Sequence, residues 1–584
     1  MKAFGQWTWP PAAQCSGHDP HVLCWDGRID SRSDLLWQLP QSAGQSDSAL
    51  IAAAYGKWGV RGLAHIVGDW SVVISDPANG SVVLASDYMG VRPLYYHYNA
   101  AGPTTITWST QLRELVTAIG DGSIDETYVA GFFAFGRCPH RTPFSGIHSV
   151  PPGHAVVVTR DGVSVQAFWA MPTGDVVRYQ DERRYEDELR TLFREAVAVR
   201  MSAPAPLMAE LSGGFDSSSV VCMGSHLIRT GAVAARQLAT ASYVHQGALD
   251  IPYIREIESH CGVESFHLSI DENPLTASSD VGDGMPDSWA PVYRTVGAVA
   301  RQLGASVMCT GQGGDVVAGN WFDDSLQVAA AWGRGHWRTA LRDALAWSRI
   351  LRTPLAWIVA RSIRATVSPR LGGADLYAGS GATRHGQGEN SLMSRFSEGV
   401  RALVAPHTFF SDEWMLAPPE RRKHFYALAM MRELRVLQRH EAAPDLDLTH
   451  PFMHRPLVEF LMSVPAQVLT GPGQPRRLMR AALADLWPPR LRARRSKSLF
   501  GGPWIEALRP MARALLETSE WQVVERGWID GDSFRSRLAR LAHGLECNEP
   551  QLRQVVLLEF WLRQQFGAGK IGGIHTHLEP QRVA

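Results

Sequence analysis

The chain has 584 residues, enough for roughly two to four domains with sizeable apolar cores. Its 57 basic and 57 acidic residues leave a formal net charge of zero, which excludes the electrostatic footprint of a nucleic-acid or membrane-surface binder. We therefore expect a small molecule or a peptide as the partner, with neither nucleic acid nor membrane involved.

The first residues of the chain carry one charge and no apolar stretch of signal-peptide length, which predicts a cytoplasmic protein. Seven cysteines at irregular spacings are typical of free thiols in a reducing compartment. Cys15, His18, His21 and Cys24 recur at three-residue intervals, a spacing that suits zinc. No second cluster accompanies them, so chance occurrence in a loop is the favoured interpretation and a zinc site is the alternative.

Short alternating apolar runs extend from about Cys24 to Val158. Turns such as 76–80 separate these runs, and this pattern predicts an antiparallel, β-rich domain, to which we assign residues 1–170. The charged stretch 178–194 has a helical period, which predicts a linker helix within residues 171–200.

Strands and helices alternate in the rest of the chain. Apolar segments at 206–211, 239–244 and 305–310 predict strands, and 251–260 predicts a helix. Such alternation indicates a parallel sheet covered on both faces. The predicted fold class is therefore α/β, with a β-rich N-terminal domain followed by a parallel α/β domain with helical additions.

This second domain is predicted to span residues 201–567. It contains a helical, Trp-rich and Arg-rich segment at 321–437, and a glycine-rich stretch within that segment predicts a mobile loop at 371–390. Residues 568–584 are expected to form a flexible tail.

A glycine-rich turn at 211–218, LSGGFDSS, lies between a predicted strand and an amphipathic helix. Its glycines let successive backbone N–H groups point into one concavity, and the helix adds its positive end, which predicts a pyrophosphate site. The turn has no lysine for γ-phosphate transfer, which favours cleavage at the α-phosphate. The predicted ATP-binding residues are Leu211, Ser212, Gly213, Gly214, Phe215, Asp216, Ser217, Ser218, Thr310 and Gly311.

A carboxylate inside an anion site requires a cation beside the phosphates, so Asp216 predicts bound Mg²⁺. A second glycine-rich turn, 310–315, follows another strand and carries Asp315. Both turns would face one crevice at the carboxyl ends of parallel strands. We predict ATP and Mg²⁺ as cofactors, with Asp216 and Asp315 as the metal ligands. Val316 replaces the third glycine of a dinucleotide fingerprint, which disfavours that alternative.

These motifs resemble those of the asparagine synthetase superfamily. Residues 212–217 are similar to its SGGxDS loop, 311–315 to its GxGxDE loop, 146–154 to its GIxxLPPGH segment, 451–452 to its PFLD motif and 495–500 to its lysine loop. The resemblance covers most of residues 24–505. It implies an ATP-pyrophosphatase-type enzyme that activates a carboxylate as an acyl-adenylate and passes it to an amine, with Lys497 stabilising the developing negative charge.

The N-terminal half resembles the superfamily's class II glutaminase domain, a β-rich sandwich, through residues 26–29 and 86–96. That enzyme uses a cysteine exposed at position one after Met removal, whereas Lys2 occupies position two here and Cys15 lies well inside the chain. Asp26 also replaces the asparagine whose amide donates to the oxyanion. The resemblance therefore implies an inactive glutaminase-like domain at 1–170.

A synthetase without glutaminase activity takes its amine from elsewhere. Two such branches are the β-lactam synthetases and the lasso peptide cyclases, which join a peptide's N-terminal amine to an Asp or Glu side chain. We favour the cyclase for two reasons. The Trp-rich segment and the glycine-rich stretch after it exceed what a small substrate needs and could cover a folded peptide, and the C-terminal segment 558–563 resembles the closing helix of such cyclases. Ordinary core packing is the alternative for the tryptophans, which include Trp321, Trp332, Trp337, Trp347 and Trp357.

The cyclase hypothesis implies that the substrate is a precursor peptide freed of its leader and that a companion leader peptidase is a partner. Ammonia-dependent asparagine synthesis and β-lactam-like ring closure remain alternatives. The amine must lose a proton, and the tyrosine used for this in the β-lactam branch matches Gln312, which cannot act as a base. Asp447 is the candidate proton acceptor.

Overall fold

The computed structural model describes residues 4–8, 22–42, 44–101, 103–174, 176–202, 206–269, 284–287, 289–319, 323–367, 413–494, 501–518, 520–545, 550–567 and 581–583. Several predicted features lie outside these ranges: Cys15, His18, His21, Trp321, the loop 371–390 and Lys497. Within the described ranges, no helix is long and apolar enough to cross a bilayer.

The N-terminal domain is built from two antiparallel sheets. Its strands are β1 Phe4–Thr8, β2 Val22–Gly27, β3 Trp70–Asp76, β4 Ser81–Ser86, β5 Tyr95–Asn99, β6 Thr105–Ser109, β7 Ile147–Ser149, β8 His154–Thr159 and β9 Gly162–Ala167. One sheet has the order β2-β3-β4-β8-β9 and the other β1-β6-β5-β7. Apolar side chains such as Leu84 and Ile106 pack between them, which confirms the predicted β-rich sandwich.

Helices cover the outer face of the five-stranded sheet, so β3 and β4 are buried on both faces. The helices of this domain are α1 Arg32–Gln38, α2 Asp47–Trp58, α3 Leu112–Ile119 and α4 Glu126–Phe135. Helix α2 begins after Ser46, whose hydroxyl accepts a hydrogen bond from the Ala49 N–H at 3.3 Å. Its Leu50 and Ile51 pack against Trp70 of β3.

Helix α5, Arg183–Arg200, connects the two domains. Its apolar residues recur at helical spacing, and Leu189, Phe193 and Val197 pack into the core of the second domain. The helix occupies the second part of the stretch 171–200 that the charge and apolar period predicted as a linker helix.

The second domain contains the predicted parallel sheet. Its strands are β10 Leu207–Glu210, β11 Leu238–Val244, β12 Glu264–Ser269, β13 Val307–Cys309, β14 Asp447–Thr449 and β15 Gln581–Val583. They lie in the order β14-β13-β10-β11-β12-β15, with β15 antiparallel at the edge and the others parallel. Thus residues 581–583, inside the predicted flexible tail, form a strand because the edge of β12 offers unpaired backbone groups.

Helices cover both faces of this sheet. The described α-helices of this part of the chain are α6 Phe215–Arg229, α7 Ile251–Cys261, α8 Ala290–Leu303, α9 Gly314–Val317, α10 Val328–Gly333, α11 Trp337–Leu351, α12 Leu355–Val367, α13 Arg422–Glu433, α14 Arg455–Ser463, α15 Ala466–Leu469, α16 Arg477–Ala482, α17 Pro489–Ala493, α18 Gly501–Leu516, α19 Gln522–Glu525, α20 Gly531–Ala542 and α21 Pro550–Phe566. Helices α5 and α6 pack on one face and α8 on the other.

The tryptophans of α10 to α12 divide into two groups. Trp347 is 2% exposed and packs against Ala340 and Ile358, as the core-packing interpretation expects. Trp337 and Trp357 are 56% and 50% exposed. Core packing therefore accounts for some of these tryptophans and leaves others on the surface.

The C-terminal helices return to the N-terminal domain. Trp561 of α21 is fully buried and stacks at a tilt on Phe144 with a centroid distance of 5.7 Å. The Trp528 indole N–H donates to Glu126 at 3.2 Å. One apolar core thus joins α3 and α4 to α18–α21 across the domain boundary.

Candidate functional site

A cavity of about 580 Å³ opens at the carboxyl ends of the parallel strands. In open parallel sheets this edge is the usual place for a ligand. The turns after β10 and β13 form one wall, the end of α4 with Arg137 a second, and Gln554 and Leu557 of α21 a third. Both domains and the C-terminal helix therefore enclose the site.

The turn after β10 has the backbone conformation of an anion-binding site. Gly213 has a left-handed φ of 71°, and a Cβ there would lie 3.1 Å from the Asp250 carbonyl oxygen, so glycine is required. The Ser212 N–H donates to Ser217 Oγ at 3.0 Å, and the two serine hydroxyls are also 3.0 Å apart. The turn leads directly into α6, whose first-turn amides and positive end favour a phosphate.

The two glycine-rich turns touch each other. A Cβ on Gly311 would lie 2.4 Å from the Ser217 nitrogen, and one on Gly314 would lie 2.6 Å from the Asp216 carboxyl carbon. This close approach explains glycine at both positions. Asp216 and Asp315 consequently line the same cavity, as the two motifs predicted.

Two buried arginines hold these turns. Arg476, 1% exposed, pairs with the Asp216 carboxylate and donates to the Gly314 carbonyl at 2.9 Å. Arg494 donates to the Gly213 carbonyl at 2.7 Å and pairs with Asp250. No motif indicated Arg476, because its role depends on a contact between residues 260 positions apart.

The residues present fit a magnesium-bound nucleotide. Asp216 already attracts one cation, the Arg476 guanidinium, and Asp315 is exposed to the same cavity. No group of three or more His, Cys, Asp or Glu suited to a metal occurs in the part of the chain that the structure describes. Mg²⁺ would therefore be held by these two carboxylates together with phosphate oxygens and water, the ligand set it prefers.

His450 positions the second turn. Its Nδ1 and the Thr310 hydroxyl are 2.7 Å apart, and its Nε2 lies 3.2 Å from the Leu437 carbonyl. Burial lowers the pKa of His450 to about 4. The ring is therefore neutral at physiological pH, with Nε2–H donating to Leu437 and Nδ1 accepting from Thr310.

A second wall of the cavity combines aromatic rings with acids. The Tyr243 hydroxyl donates to Glu210 at 3.4 Å, and burial raises the pKa of Glu210 to about 7. Tyr293 stacks on His440 at a centroid distance of 3.9 Å and also lines the cavity. The apolar strand pattern of 206–211 concealed Glu210, although a lone acid in such a strand was an available signal.

Asp447 does not belong to this cavity. It begins β14, and its carboxylate pairs with Arg92 of the N-terminal domain at 2.5 Å, while Leu448 and His450 line the cavity in its place. Its predicted role as proton acceptor is therefore withdrawn. Lys497, the predicted charge-stabilising residue, lies outside the described residues together with its neighbours 495–500.

Ion pairs lie where the N-terminal sandwich meets the second domain. Asp26 lies 3.9 Å from Arg439, and buried Arg200 reaches Asp30 at 3.0 Å and Asp69 at 3.2 Å. These pairs tie the loop after β2 to the second domain. Cys24, the described member of the Cys–His cluster, is half-buried on β2, and burial raises the pKa of its thiol.

Comparison with known families matches most of the chain. A family model described as asparagine synthase matches residues 188–563, and one described as a glutamine amidotransferase domain matches residues 19–169. The two matches follow the two domains of the structure.

Individual relatives are more distant. Amidase chry2 of Gibberella zeae is 25% identical over 47% of this chain and 42% of its own length. Asparagine synthetase [glutamine-hydrolyzing] 3 of Bacillus subtilis is 23% identical over 35% of this chain and 34% of its own. The chain thus spans less than half the length of these relatives.

Among solved structures, a glutamine phosphoribosylpyrophosphate amidotransferase from B. subtilis is 11% identical to this chain. The match covers 50% of this chain and 71% of that chain, with a TM-score of 0.20. A score this low has no bearing on the fold.

Proposed function

Because the chain belongs to the asparagine synthase family, we propose that it is an ATP-dependent amide ligase that activates a carboxylate as an acyl-adenylate and passes it to an amine. AMP and pyrophosphate are the other products. The observation that carries the proposal is the contact between the two glycine-rich turns, which places Asp216 and Asp315 on one cavity beside the start of α6.

Each group of residues in the cavity has a separate role in this proposal. The serines and amides of 212–218 receive the phosphates, and Arg476 and Arg494 keep both turns in place. Asp216 and Asp315 would hold Mg²⁺, which would neutralise part of the phosphate charge. Holding carboxylate and nucleotide together in one cavity raises their effective concentration, which lowers the barrier to adenylation.

The amine is proposed to come from a source other than glutamine. Asp26 faces Arg439 and carries a carboxylate in place of an amide donor. The N-terminal domain would then act as a wall of the synthetase cavity, to which it contributes Phe132, Gly136 and Arg137.

The proposed reaction is macrolactam closure in lasso peptide biosynthesis, between a peptide's N-terminal amine and an Asp or Glu side chain. A cavity of about 580 Å³ with an aromatic wall suits part of a peptide, and the exposed Trp337 and Trp357 offer further surface for one. A companion peptidase would free the attacking amine. The alternative, favoured by the names of asparagine synthetase relatives, is ammonia-dependent asparagine synthesis.

A direct assay separates these activities. We expect a leader-freed candidate peptide, incubated with ATP and Mg²⁺, to lose one water while AMP is released. The same peptide with an acetylated N-terminus should remain linear. A peptide that stays linear while aspartate and ammonium yield AMP would instead favour asparagine synthesis, and no AMP release with either substrate set would contradict the ligase proposal.

A further inference from the structure

One histidine of the cavity has no role in the adenylation step. His440 lies in the segment between helix α13 and strand β14, and its ring lines the cavity. The ring stacks on Tyr293 of α8 at a centroid distance of 3.9 Å and an interplanar angle of 27°. Only 12% of the His440 side chain is exposed, so the ring is held in one orientation beside the space where a ligand would bind.

A carboxylate sets the tautomer of this ring. The Asp287 carboxylate lies 3.1 Å from His440 Nδ1, so Nδ1–H donates to it and the lone pair is on Nε2. Among the described residues no group bonds to Nε2, and this nitrogen is not one of the buried atoms without a partner. The Nε2 lone pair is therefore available to a ligand.

The ring is one side chain away from the turn that carries Asp315. Tyr293, on which His440 stacks, is hydrogen-bonded to the side chain of Gln312. Gln312 lies between the two glycines of that turn and also lines the cavity. An amide is not basic, so Gln312 cannot take a proton itself. The nearest basic nitrogen along this path is that of His440.

The other groups of the cavity that could take a proton are placed differently. Asp216 and Asp315 belong to the phosphate turns, and Glu210 ends the strand that leads into the first of them. Both ring nitrogens of His450 already have hydrogen-bond partners. Among the described residues that line the cavity, His440 is thus the histidine that keeps an available lone pair.

We propose that His440 is the base of the amide-forming step and that Asp287 positions it. The proposal rests on the proposed ligase function and names the group that receives the proton of the primary amine. The amine nitrogen bonds to the activated acyl carbon, and the bond from that carbon to the phosphate oxygen breaks, with its electron pair leaving on AMP. One N–H proton of the attacking amine moves to Nε2 of His440.

The surroundings of the ring suit this transfer. Burial lowers the pKa of His440 and nearby Arg137 lowers it further, while Asp287 opposes both effects, so the ring is neutral before the reaction. An amine becomes much more acidic once its nitrogen has bonded to the acyl carbon, so a weak base is sufficient. The resulting imidazolium would be stabilised by the Asp287 carboxylate and by the face of the Tyr293 ring.

The test measures the two half-reactions separately. A candidate peptide with an acetylated N-terminus can be activated but cannot cyclise, so exchange of labelled pyrophosphate into ATP reports adenylation alone. In His440→Gln this exchange should stay within about twofold of the unaltered chain, whereas cyclisation of the free peptide should slow by about 100-fold or more. His543→Gln, the same change at an exposed site, should leave both rates unchanged.

Hydroxylamine provides a second readout, because it is a strong nucleophile that is neutral at pH 7 and attacks an acyl-adenylate without a protein base. The hydroxamate yield from the acetylated peptide should be the same for His440→Gln and the unaltered chain. His440→Asn, a second substitution without a basic nitrogen, should behave like His440→Gln. Binding of the magnesium complex of AMP-CPP within about twofold of the unaltered chain shows that each variant is folded.

A double substitution tests the positioning role of Asp287. Asp287→Ala should slow cyclisation by about tenfold or more, because the ring loses the acceptor for Nδ1–H. The double variant with Asp287→Ala and His440→Gln should be no slower than His440→Gln alone, because Asp287 acts through that ring. Additive losses would overturn the positioning role and assign Asp287 to its other contact, the Arg137 guanidinium at 3.8 Å.

The remaining outcomes distinguish the base from the ligase function. Equal losses of pyrophosphate exchange and cyclisation in His440→Gln would place His440 in adenylation, and an unchanged cyclisation rate would remove it from the reaction. Either result overturns the proposed base while the ligase function stands. Absence of pyrophosphate exchange in the unaltered chain contradicts the ligase function itself, and the base with it.

Discussion

At the scale of single residues, the cavity shows how the same functional group acquires different roles. Asp216 is held by the Arg476 guanidinium, Asp315 is exposed, and Glu210 is held by a phenol hydroxyl. Two of these positions could be read from glycine-rich motifs. The third could not, because its environment is formed by Tyr243 and Tyr293, which lie far from it in the chain.

We predict that Asp315→Asn weakens magnesium-dependent nucleotide binding. Loss of one carboxylate ligand should raise the Mg²⁺ concentration needed for half-maximal ATP binding by about tenfold or more. Calorimetric ATP titrations at a series of MgCl₂ concentrations measure this. Asp485→Asn, which removes an exposed carboxylate paired with Arg190, is the matched control and should leave the Mg²⁺ requirement unchanged. A normal Mg²⁺ requirement in Asp315→Asn would exclude Asp315 as a ligand.

At the scale of elements, the buried side chain of Glu559 connects helix α21 to helix α19 by hydrogen bonds. Glu559 has no exposed surface and accepts from the backbone N–H groups of Gln522 and Val523 at 3.1 and 3.0 Å. It thereby satisfies the first amides of α19, which would otherwise be buried without acceptors. Arg563, one turn later, donates to the same carboxylate at 2.6 Å.

Glu559→Ala is expected to lower the free energy of unfolding by about 2–4 kcal/mol, since two backbone donors and one arginine lose their acceptor in a buried setting. Urea denaturation followed by tryptophan fluorescence measures the change. Glu517→Ala, on the exposed end of the neighbouring segment, should shift stability by less than about 0.5 kcal/mol. Equal changes in the free energy of unfolding for the two substitutions would show that the hydrogen bonds of Glu559 do not stabilise the packing of α21.

At the scale of the whole molecule, the two domains are joined by a buried ionic network and by one apolar core. Arg200, at the end of the connecting helix, reaches both Asp30 and Asp69 of the sandwich. Nearby Arg200 and Arg28 hold the pKa of Asp30 well below its usual range, although burial alone would raise it. The network therefore fixes the sandwich to the second domain.

Arg200→Met should therefore destabilise the chain by about 3–5 kcal/mol, because it leaves Asp30 and Asp69 buried with one cation fewer. Arg190→Met, which breaks an exposed pair with Asp485, should change stability by less than about 1 kcal/mol.

The stabilisation by Asp30 should also depend on pH. Because the pKa of Asp30 in the folded chain is depressed, its contribution to the free energy of unfolding is full above about pH 4 and is lost as pH falls further. Denaturation at pH 7 and at pH 3 tests both statements, and a pH-independent difference between Arg200→Met and the unaltered chain would contradict the second.

The fold was readable from the sequence wherever the signal is local. Alternating runs with turns predicted the sandwich, and alternating strands and helices predicted the parallel sheet, because both patterns follow from the periodicity of side chains along one segment. The predicted flexible tail 568–584 differed in part: its residues 581–583 pair with β12, and edge pairing depends on which backbone groups are left available elsewhere.

The sequence by itself determined the two glycine-rich turns and the two acids they carry, since each is a property of adjacent residues. Only the tertiary structure decided which side chains share the cavity with them. It paired Asp447 with Arg92, placed Glu210 in the cavity wall and brought Arg476 and His450 to the turns. Burial and charge pairing depend on distant segments meeting, and no local pattern encodes those encounters.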